Sequence, residues 1–274
     1  MSYQLIAFDM DGTLLNSSKK ISEGNLSAIQ KAYEAGKTIA LSTGRSLPEL
    51  KEFATELKYV RYYICISGAI LYDKQDNKIL YQNNIAPETA ARLFELTENV
   101  DAMIHIHSFE SVVERKMLDH MAEYQMGEYE QMFRKVTSPV EHITDFFHAH
   151  PEAMSKINFI HRNTDARKAT EKLILDNKLP LELAYSERTS LECSAKGVSK
   201  ATGLQKLCRH LNLELSQTIV VGDADNDLAI LKAAGLPVAM ANANQNVKNV
   251  CKATVSDNDH DGCAEAVYKY LLES

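Results

Sequence analysis

Short apolar runs that end in small polar or acidic residues constrain the fold of this chain most strongly. Six such runs occur, at residues 4–8, 38–41, 62–66, 218–221, 237–241 and 253–256. Short apolar runs separated by helical patterns are typical of parallel strands that are buried on both faces. The two ends of the chain therefore predict one doubly wound, mainly parallel sheet, with right-handed crossovers between its strands.

The middle of the chain follows a different pattern. Residues 102–107 and 156–160 are expected to be strands, but no acidic residue directly follows either of them. We therefore interpret 84–189 as an inserted domain, and 1–83 with 190–274 as the core. A length of 274 residues is sufficient for two domains. The expected fold class is α/β, with a Rossmann-like core sheet and an inserted α/β domain.

Composition excludes several classes of function. The chain has 30 Lys+Arg against 37 Asp+Glu, and a net charge of -7 provides no general cationic field for nucleic acid or an anionic membrane. No stretch approaches the ~18 apolar residues of a membrane span, and the N-terminal residues lack a signal-peptide pattern, so a cytoplasmic location is expected. The five cysteines form no C-x-x-C pair, which argues against a zinc ribbon or a dithiol redox site. Neither a Walker loop nor a G-x-G-x-x-G loop is present.

Two aspartates stand directly after the first apolar run. Asp9 and Asp11 alternate in extended chain, so both carboxylates point to one side, and Gly12 lets the backbone turn after them. Such a pair could hold a divalent metal and divide the chemistry between a nucleophile and a general acid–base. The alternative is an Asp-rich strand-to-helix turn without a chemical role, because D-x-D alone is a weak motif.

The second apolar run ends in groups suited to an anion. Ser42-Thr43-Gly44-Arg45 supplies a hydroxyl, a flexible backbone N–H and a guanidinium just before a helix N-terminus. This arrangement suits a phosphoryl group, although it could equally be a helix cap. Ser46 with Glu49 three residues later predicts a capping box at the start of that helix.

A second acidic segment, Gly222-Asp223-Ala224-Asp225-Asn226-Asp227, follows the first of the late runs. Its spacing imitates an EF-hand calcium loop, but Leu228 and Ala234 occupy positions that require Gly and Glu. Because the carboxyl ends of parallel strands share one edge of a sheet, this segment and Asp9 would repel each other without a cation. Mg²⁺ is the expected ion, since it favours carboxylates, waters and phosphate oxygens.

Two further features are ambiguous when each is taken alone. Lys200 stands 23 residues before Asp223, at the start of the helical stretch 200–211. It could offset charge on a transferring phosphoryl group or be an ordinary surface cation. His105 and His107 alternate on an expected strand and share one face, where they could contact a substrate or simply pack.

In combination these features resemble the four motifs of the haloacid dehalogenase superfamily of phosphotransferases. DMDGT, which starts at Asp9, looks like the first motif, Thr43 with its Gly-Arg like the second, Lys200 like the third, and GDADND like the fourth. Only 34 residues separate Asp9 from Thr43, whereas 157 separate Thr43 from Lys200. This spacing places a cap domain after the second motif, as in the Cof-type, subclass IIB phosphatases.

The resemblance implies a role for each motif residue. Asp9 would attack phosphorus to give an aspartyl-phosphate, while Asp11 would protonate the leaving alkoxide and later activate water. Mg²⁺ would be held by Asp9, the backbone carbonyl of Asp11 and Asp223. The remaining roles concern the phosphoryl oxygens, which would be bound by Met10, Thr43, Gly44, Lys200 and Asn226, with support from Asp227 and Arg45.

The implied function is a Mg²⁺-dependent phosphatase that acts on a small phosphate monoester, with a cap that recognises the leaving group and excludes water. Sugar phosphates, nucleotide-like phosphates and pyridoxal phosphate all fit such a cap. A phosphomutase of the phosphomannomutase-like type and a non-catalytic phosphate or metal sensor stay as alternatives. The match at Lys200 and GDADND disfavours a D-x-D glycosyltransferase, and chain length disfavours a receiver domain. No nucleic-acid or membrane partner is expected, and the oligomeric state is left open.

Overall fold

The computed structural model describes residues 2–185 and 187–273. The strands within these ranges are β1 Leu5–Phe8, β2 Thr38–Ser42, β3 Tyr62–Cys65, β4 Ile70–Asp73, β5 Lys78–Gln82, β6 Ala102–His107, β7 Ser111–Glu114, β8 Ser138–Val140, β9 Lys156–His161, β10 Leu181–Ala184, β11 Ser190–Ala195, β12 Thr218–Gly222, β13 Leu236–Met240 and β14 Ala253–Val255. All six apolar runs of the core and both expected strands of the insert coincide with strands in this set, to within one or two residues.

The α-helices of the same ranges are α1 Glu23–Glu34, α2 Leu47–Leu50, α3 Pro87–Thr97, α4 Arg115–Leu118, α5 Glu130–Val136, α6 Ile143–Ala149, α7 Thr164–Asp176, α8 Lys200–Leu211, α9 Leu228–Ala233, α10 Gln245–Val250 and α11 Gly262–Ala266. A π-helical segment, Val267–Leu272, continues the last of them. Among the described residues, we find no helix with the length and apolar character needed to cross a lipid bilayer.

Contacts divide the chain into two compact units. Residues 2–44, 52–81 and 199–273 form the first unit, and residues 45–51 with 82–198 form the second. This division differs from the sequence-based boundaries at the segment after β2 and at β11. β11 was assigned to the core, but it pairs with β9 and β10, because its antiparallel register completes the sheet of the insert.

The first unit contains an eight-stranded sheet in the order β14-β13-β12-β1-β2-β3-β4-β5. Neighbouring strands from β14 to β3 are parallel, and β4 is antiparallel to β3. All four residues of β1 are fully buried, as expected for a central strand covered on both faces. The doubly wound α/β core predicted from the apolar runs is thus confirmed.

The second unit contains a six-stranded sheet in the order β10-β11-β9-β6-β7-β8. Its pairs are antiparallel except for β7 with β8. Met103, Val113 and Ile160 from three of its strands pack with Tyr124 and Phe133 in a buried apolar cluster. The insert is therefore an α/β unit as well, in agreement with the expected fold class.

Helix caps explain why α8 begins where it does. Ser199 precedes the helix in extended conformation, and its hydroxyl oxygen accepts the N–H of Thr202 at 3.1 Å. Leu204 and Leu207 bury the apolar face of the helix. Lys200 is consequently held in the first turn, on a rigid element rather than on a loop.

Candidate functional site

Two neighbouring parallel strands bring Asp9 and Asp223 to the same edge of the sheet. β1 and β12 are neighbours in register, with Phe8 opposite Val221. Asp9 directly follows β1, and its N–H donates to the Val221 carbonyl at 3.0 Å. Asp223 directly follows β12. Both aspartates therefore stand at the carboxyl edge of the sheet, where open α/β folds bind their ligands.

The turn after Asp9 is shaped by contact with Asp223. Gly12 has a φ of +78°, and a Cβ atom there would lie 2.4 Å from Asp223 Oδ2, so the position requires glycine. Thr13 Oγ1 donates a hydrogen bond to Asp223 Oδ1 at 2.7 Å, and Asn242 Nδ2 donates to the Gly12 carbonyl at 2.8 Å. Sequence reasoning did not select Thr13 or Asn242. Thr13 could have been found, because it belongs to the same DMDGT turn as Asp9.

Lys200 is the central cation of the site. Its Nζ lies 2.6 Å from Asp9 Oδ1 and 2.7 Å from Asp227 Oδ1, and all three side chains are buried. Burial opposes the charge of this ammonium, but the carboxylates of Asp227 and Asp9 outweigh that effect and raise its pKa. The alternative of a solvated surface lysine is therefore wrong.

Asp227 is turned back toward the strand end by a short helical turn, Asp225–Asp227. Its Oδ2 accepts the backbone N–H groups of Asp223 at 3.2 Å and Ala224 at 3.3 Å. A Cβ atom at Gly222 would lie 2.7 Å from Asp227 Cγ, so this close approach needs glycine as well. The turn thus holds one carboxylate oxygen of Asp227 by backbone hydrogen bonds and leaves the other oxygen to bind Lys200.

The site holds more negative charge than its lysine can balance. Burial and, next, the charge of Asp227 raise the pKa of Asp9 well above its ordinary value, against the opposing effect of Lys200. Burial likewise raises the pKa of Asp223 to about 6, although the hydrogen bond from Thr13 lowers it. A buried carboxylate becomes neutral when its charge is not compensated. An added cation would restore the ionised forms of Asp9 and Asp223.

Three carboxylates can supply the ligands of such a cation. Asp9, Asp223 and Asp227 each offer one oxygen within 4.8 Å of the others. Carboxylate oxygens are hard donors of the kind that Mg²⁺ and Ca²⁺ use. The donor set therefore fits a divalent cation. Asp11 does not share this position, because its side chain is 42% exposed and pairs with Lys19 at 3.1 Å.

The other predicted site residues differ in their surroundings. Thr43 is buried at the end of β2, its N–H donates to the Ile64 carbonyl, and Gly44 follows it. Met10 is fully buried, whereas Asn226 is exposed in the turn before α9.

Arg45 and the two histidines belong to the second unit. Arg45 Nη1 lies 3.9 Å from Met132 Sδ. The rings of His105 and His107 lie on one face of β6, with their centroids 4.0 Å apart, and both are buried.

Comparison with known proteins gives consistent matches over the length of the chain. The sequence model of the haloacid dehalogenase-like hydrolases matches residues 6–267. A 5-amino-6-(5-phospho-D-ribitylamino)uracil phosphatase of Bacillus subtilis is 30% identical, over 98% of this chain and 96% of that protein. A pyridoxal phosphate phosphatase of Escherichia coli is 27% identical, over 99% of this chain and 100% of that protein. A solved structure of a haloacid dehalogenase-like hydrolase from B. subtilis is similar with a TM-score of 0.85 and 25% identity, over 97% of this chain and 99% of that one.

Proposed function

The chain belongs to the haloacid dehalogenase-like hydrolases and is a phosphatase of the Cof type, and from this premise we propose that it is Mg²⁺-dependent and hydrolyses a small phosphate monoester through an aspartyl-phosphate on Asp9. The observation that carries the proposal is the buried triad of Asp9, Lys200 and Asp227, with both Nζ–O distances at 2.7 Å or less. The Asp9 carboxylate is fixed at a strand end, beside a lysine whose charge is balanced by two carboxylates. Such a carboxylate is suited to nucleophilic attack on phosphorus.

In the first step, an oxygen of Asp9 attacks phosphorus, and the bond from phosphorus to the ester oxygen breaks with its electron pair on the leaving alkoxide. Asp11 donates a proton to that alkoxide, a role for which its solvent-exposed carboxyl group is accessible. Lys200, Thr43 and the backbone N–H of Gly44 offset the charge on the phosphoryl oxygens. Asp227 positions Lys200 through its hydrogen bond of 2.7 Å.

In the second step, Asp11 removes a proton from water, and the resulting hydroxide attacks phosphorus. The bond to Asp9 breaks, which releases phosphate and restores the carboxylate. We assign the cation to Asp9, Asp223 and the main-chain carbonyl of Asp11. When bound, Mg²⁺ supplies positive charge that lets the Asp9 carboxylate approach an anionic phosphate. Met10 contributes its backbone N–H and Asn226 its side-chain amide, and Arg45 supports substrate binding.

The substrate class follows from the relatives and stays a proposal for this chain. The two phosphatases named above act on a ribityl-substituted uracil phosphate and on pyridoxal phosphate. We therefore place phosphate monoesters of small heterocyclic metabolites beside sugar phosphates as the first candidates.

All five cysteines are free, which supports a reducing compartment such as the cytoplasm.

The test is a phosphate-release assay over a panel of sugar and heterocyclic phosphate monoesters, with and without MgCl₂. We expect turnover that needs the cation, and a loss of kcat of about 10⁴-fold or more in Asp9→Asn, because the amide cannot form the phosphoenzyme. The matched control is Asp76→Asn, which removes an exposed carboxylate of the same unit and should leave kcat unchanged.

Full activity in Asp9→Asn would refute the assignment of the nucleophile. Transfer of phosphate between positions of a sugar that needs a bisphosphate activator and releases no net phosphate would identify a mutase instead. Binding of phosphate and metal without turnover of any ester would favour the sensor.

A further inference from the structure

The second unit contains its own group of metal-ligating side chains, Glu49, His105 and His107. One ligand atom from each lies within 4.8 Å of the others. No more than 5% of any of these side chains is exposed. Glu49 comes from α2 and the histidines from β6, so the group joins residues that are more than fifty positions apart in the sequence.

The separations between these ligand atoms fit a shared ion better than direct hydrogen bonds. His105 Nε2 lies 3.8 Å from Glu49 Oε1, and His107 Nδ1 lies 3.6 Å from Glu49 Oε2. Both distances exceed those of normal hydrogen bonds. Ligand atoms bonded to a tetrahedral zinc ion at ~2.0–2.1 Å lie about 3.4 Å apart. Shifts of a few tenths of an ångström would therefore bring each nitrogen and the carboxylate oxygen opposite it to the separation found in such a site.

One of these nitrogens lacks the partner that burial normally requires. His107 Nδ1 is fully buried and makes no hydrogen bond to any described residue. Buried polar atoms without a partner are uncommon and costly, so each calls for a reason. The nitrogen faces the Glu49 carboxylate, which is the position where a cation between the two groups would bind.

The charges around the group leave a place for a cation. Glu49 accepts hydrogen bonds from uncharged donors, the Ser46 N–H at 2.6 Å, the Ser46 hydroxyl at 2.9 Å and the Ser111 hydroxyl at 3.3 Å. The buried ammonium of Lys156 is bound to Glu192 at 2.8 Å. The carboxylate of Glu49 is thus buried beside two imidazoles without a dedicated counter-ion among the contacts described.

The histidines are in the protonation state that a metal needs. Burial and then the charge of Lys156 lower the pKa of His105 to about 3. Burial, His105 and Lys156 lower the pKa of His107 as well. Both imidazoles are neutral at pH 7, and a neutral imidazole has a lone pair available for coordination.

We propose that Glu49, His105 and His107 bind a divalent transition metal ion, with zinc as the best fit. Two imidazoles and one carboxylate favour zinc and its neighbours over Mg²⁺, which prefers oxygen ligands. Ser111 Oγ is hydrogen-bonded to His105 Nε2 at 2.7 Å and donates to Glu49 Oε1 at 3.3 Å, so this hydroxyl would move aside or become a further ligand when the ion binds. Because the group is buried and links α2 to β6, the ion stabilises the second unit and takes no part in phosphoryl transfer.

The experiment uses full-length protein that has been stripped with a chelator and then placed in excess MgCl₂, so that the carboxylate site of the first unit is satisfied. Titration with CoCl₂ should give one bound ion per chain, with the strong visible absorption of tetrahedral nitrogen and oxygen coordination. ZnCl₂ should displace it and raise the melting temperature. A weak octahedral spectrum, or no binding at micromolar cobalt and zinc, would overturn the proposal.

Three variants locate the ion. Glu49→Gln and His107→Asn should each weaken zinc binding roughly a hundredfold or more, since even partners outside the coordination shell can cost 10–100-fold. His120→Gln, which removes an exposed histidine of the same unit, should bind zinc as the parent does. Circular dichroism of each metal-free variant checks its fold, and Glu49→Gln decides if His107→Asn does not fold. Unchanged zinc affinity in Glu49→Gln would contradict the assignment, as would loss of the cobalt spectrum in Asp223→Asn.

Discussion

Each unit of the molecule buries a group of ionisable side chains, and the two groups differ in their ligand chemistry. In the first unit, Asp9 and Asp227 both bind the ammonium of Lys200, and Asp223 offers a third carboxylate within 4.8 Å of them. In the second unit, the one carboxylate of Glu49 stands beside two neutral imidazoles. The first group has an excess of hard oxygen donors and needs positive charge. The second has mixed donors and selects an ion by ligand type rather than by charge.

The two groups also differ in how the chain builds them. The acidic group comes from the ends of neighbouring parallel strands, which the fold brings to one edge of the sheet. The histidine group combines the last three residues of a strand with the first turn of a short helix. A strand-end site can be read from local sequence, whereas the second kind depends on a tertiary contact.

Among the variants that compare the two units, the largest effect is expected when the buried lysine of the first unit is replaced. Lys200→Met should lower kcat/KM by about 10³-fold, because the charge on the transferring phosphoryl group loses its fixed partner. It should also lower the free energy of unfolding of the metal-free protein by about 3–5 kcal/mol, since Asp9 and Asp227 are left buried without a cation. Phosphate release and urea denaturation measure the two effects.

Lys156→Met is the matched variant in the second unit. This lysine is equally buried, 2% exposed, and its loss removes the ammonium that lies 2.8 Å from the buried carboxylate of Glu192. We expect a similar fall in the free energy of unfolding but only a small change in kcat. Equal losses of kcat in the two variants would mean that general destabilisation, and not the site, explains the effect of Lys200.

A smaller effect is expected at the turn that packs against Asp223. Gly12→Ala places a methyl group 2.4 Å from Asp223 Oδ2, so the carboxylate must move and kcat/KM should fall about 10²-fold. Gly36→Ala is the matched control, because its φ of +75° is similar but no atom lies within 4 Å of the new Cβ. Both variants carry a backbone penalty of about 1–2 kcal/mol. A loss of kcat/KM in Gly36→Ala would show that backbone strain alone is sufficient.

Most of the core could be predicted from the sequence, because local patterns mark both its strands and its acidic residues. Apolar runs followed by aspartate mark both the buried strands and the edge where their ends meet, which is why Asp9 and Asp223 were selected. Lys200 was selected from its place at the start of a helical stretch and from its likeness to the third family motif. The contact of Thr13 with Asp223 depends on how the Gly12 turn closes, and the motif carried that information only in part. The side-chain placement of Asp11 beside Lys19 was not foreseen.

The histidine group could be predicted only in fragments. Alternation placed His105 and His107 on one face, and spacing paired Ser46 with Glu49, whose carboxylate accepts the Ser46 N–H at 2.6 Å. Nothing in either local pattern indicates that the cap of α2 reaches β6. That contact is set by the packing of the second unit, which sequence periodicity does not encode.

The smallest expected effect is a difference in the sign of the pH dependence of stability. In the second unit, the pKa of His105 is about 3 in the folded chain, below its ordinary 6.5. Below about pH 6.5, His105 binds a proton in the unfolded chain but not in the folded unit. Its contribution to the free energy of unfolding is therefore complete above pH 6.5 and decreases as the pH falls. In the metal-free first unit, the pKa of Asp223 is about 6, above its ordinary 3.8. There the folded form binds the additional proton, so stability rises as pH falls through 6.

Hydrogen exchange of the chelator-treated protein between about pH 7 and about pH 5, corrected for intrinsic rates, can separate the two trends. Protection of β6 and β9 should decrease with acid, while protection of β1 and β12 should increase. Excess MgCl₂ should abolish the second trend, because the cation replaces the proton as the group that neutralises Asp223. It should leave the first trend unchanged, since imidazoles are poor ligands for Mg²⁺. Parallel trends in both units, or equal sensitivity of both to MgCl₂, would mean that the two buried groups do not differ in the way their ligands indicate.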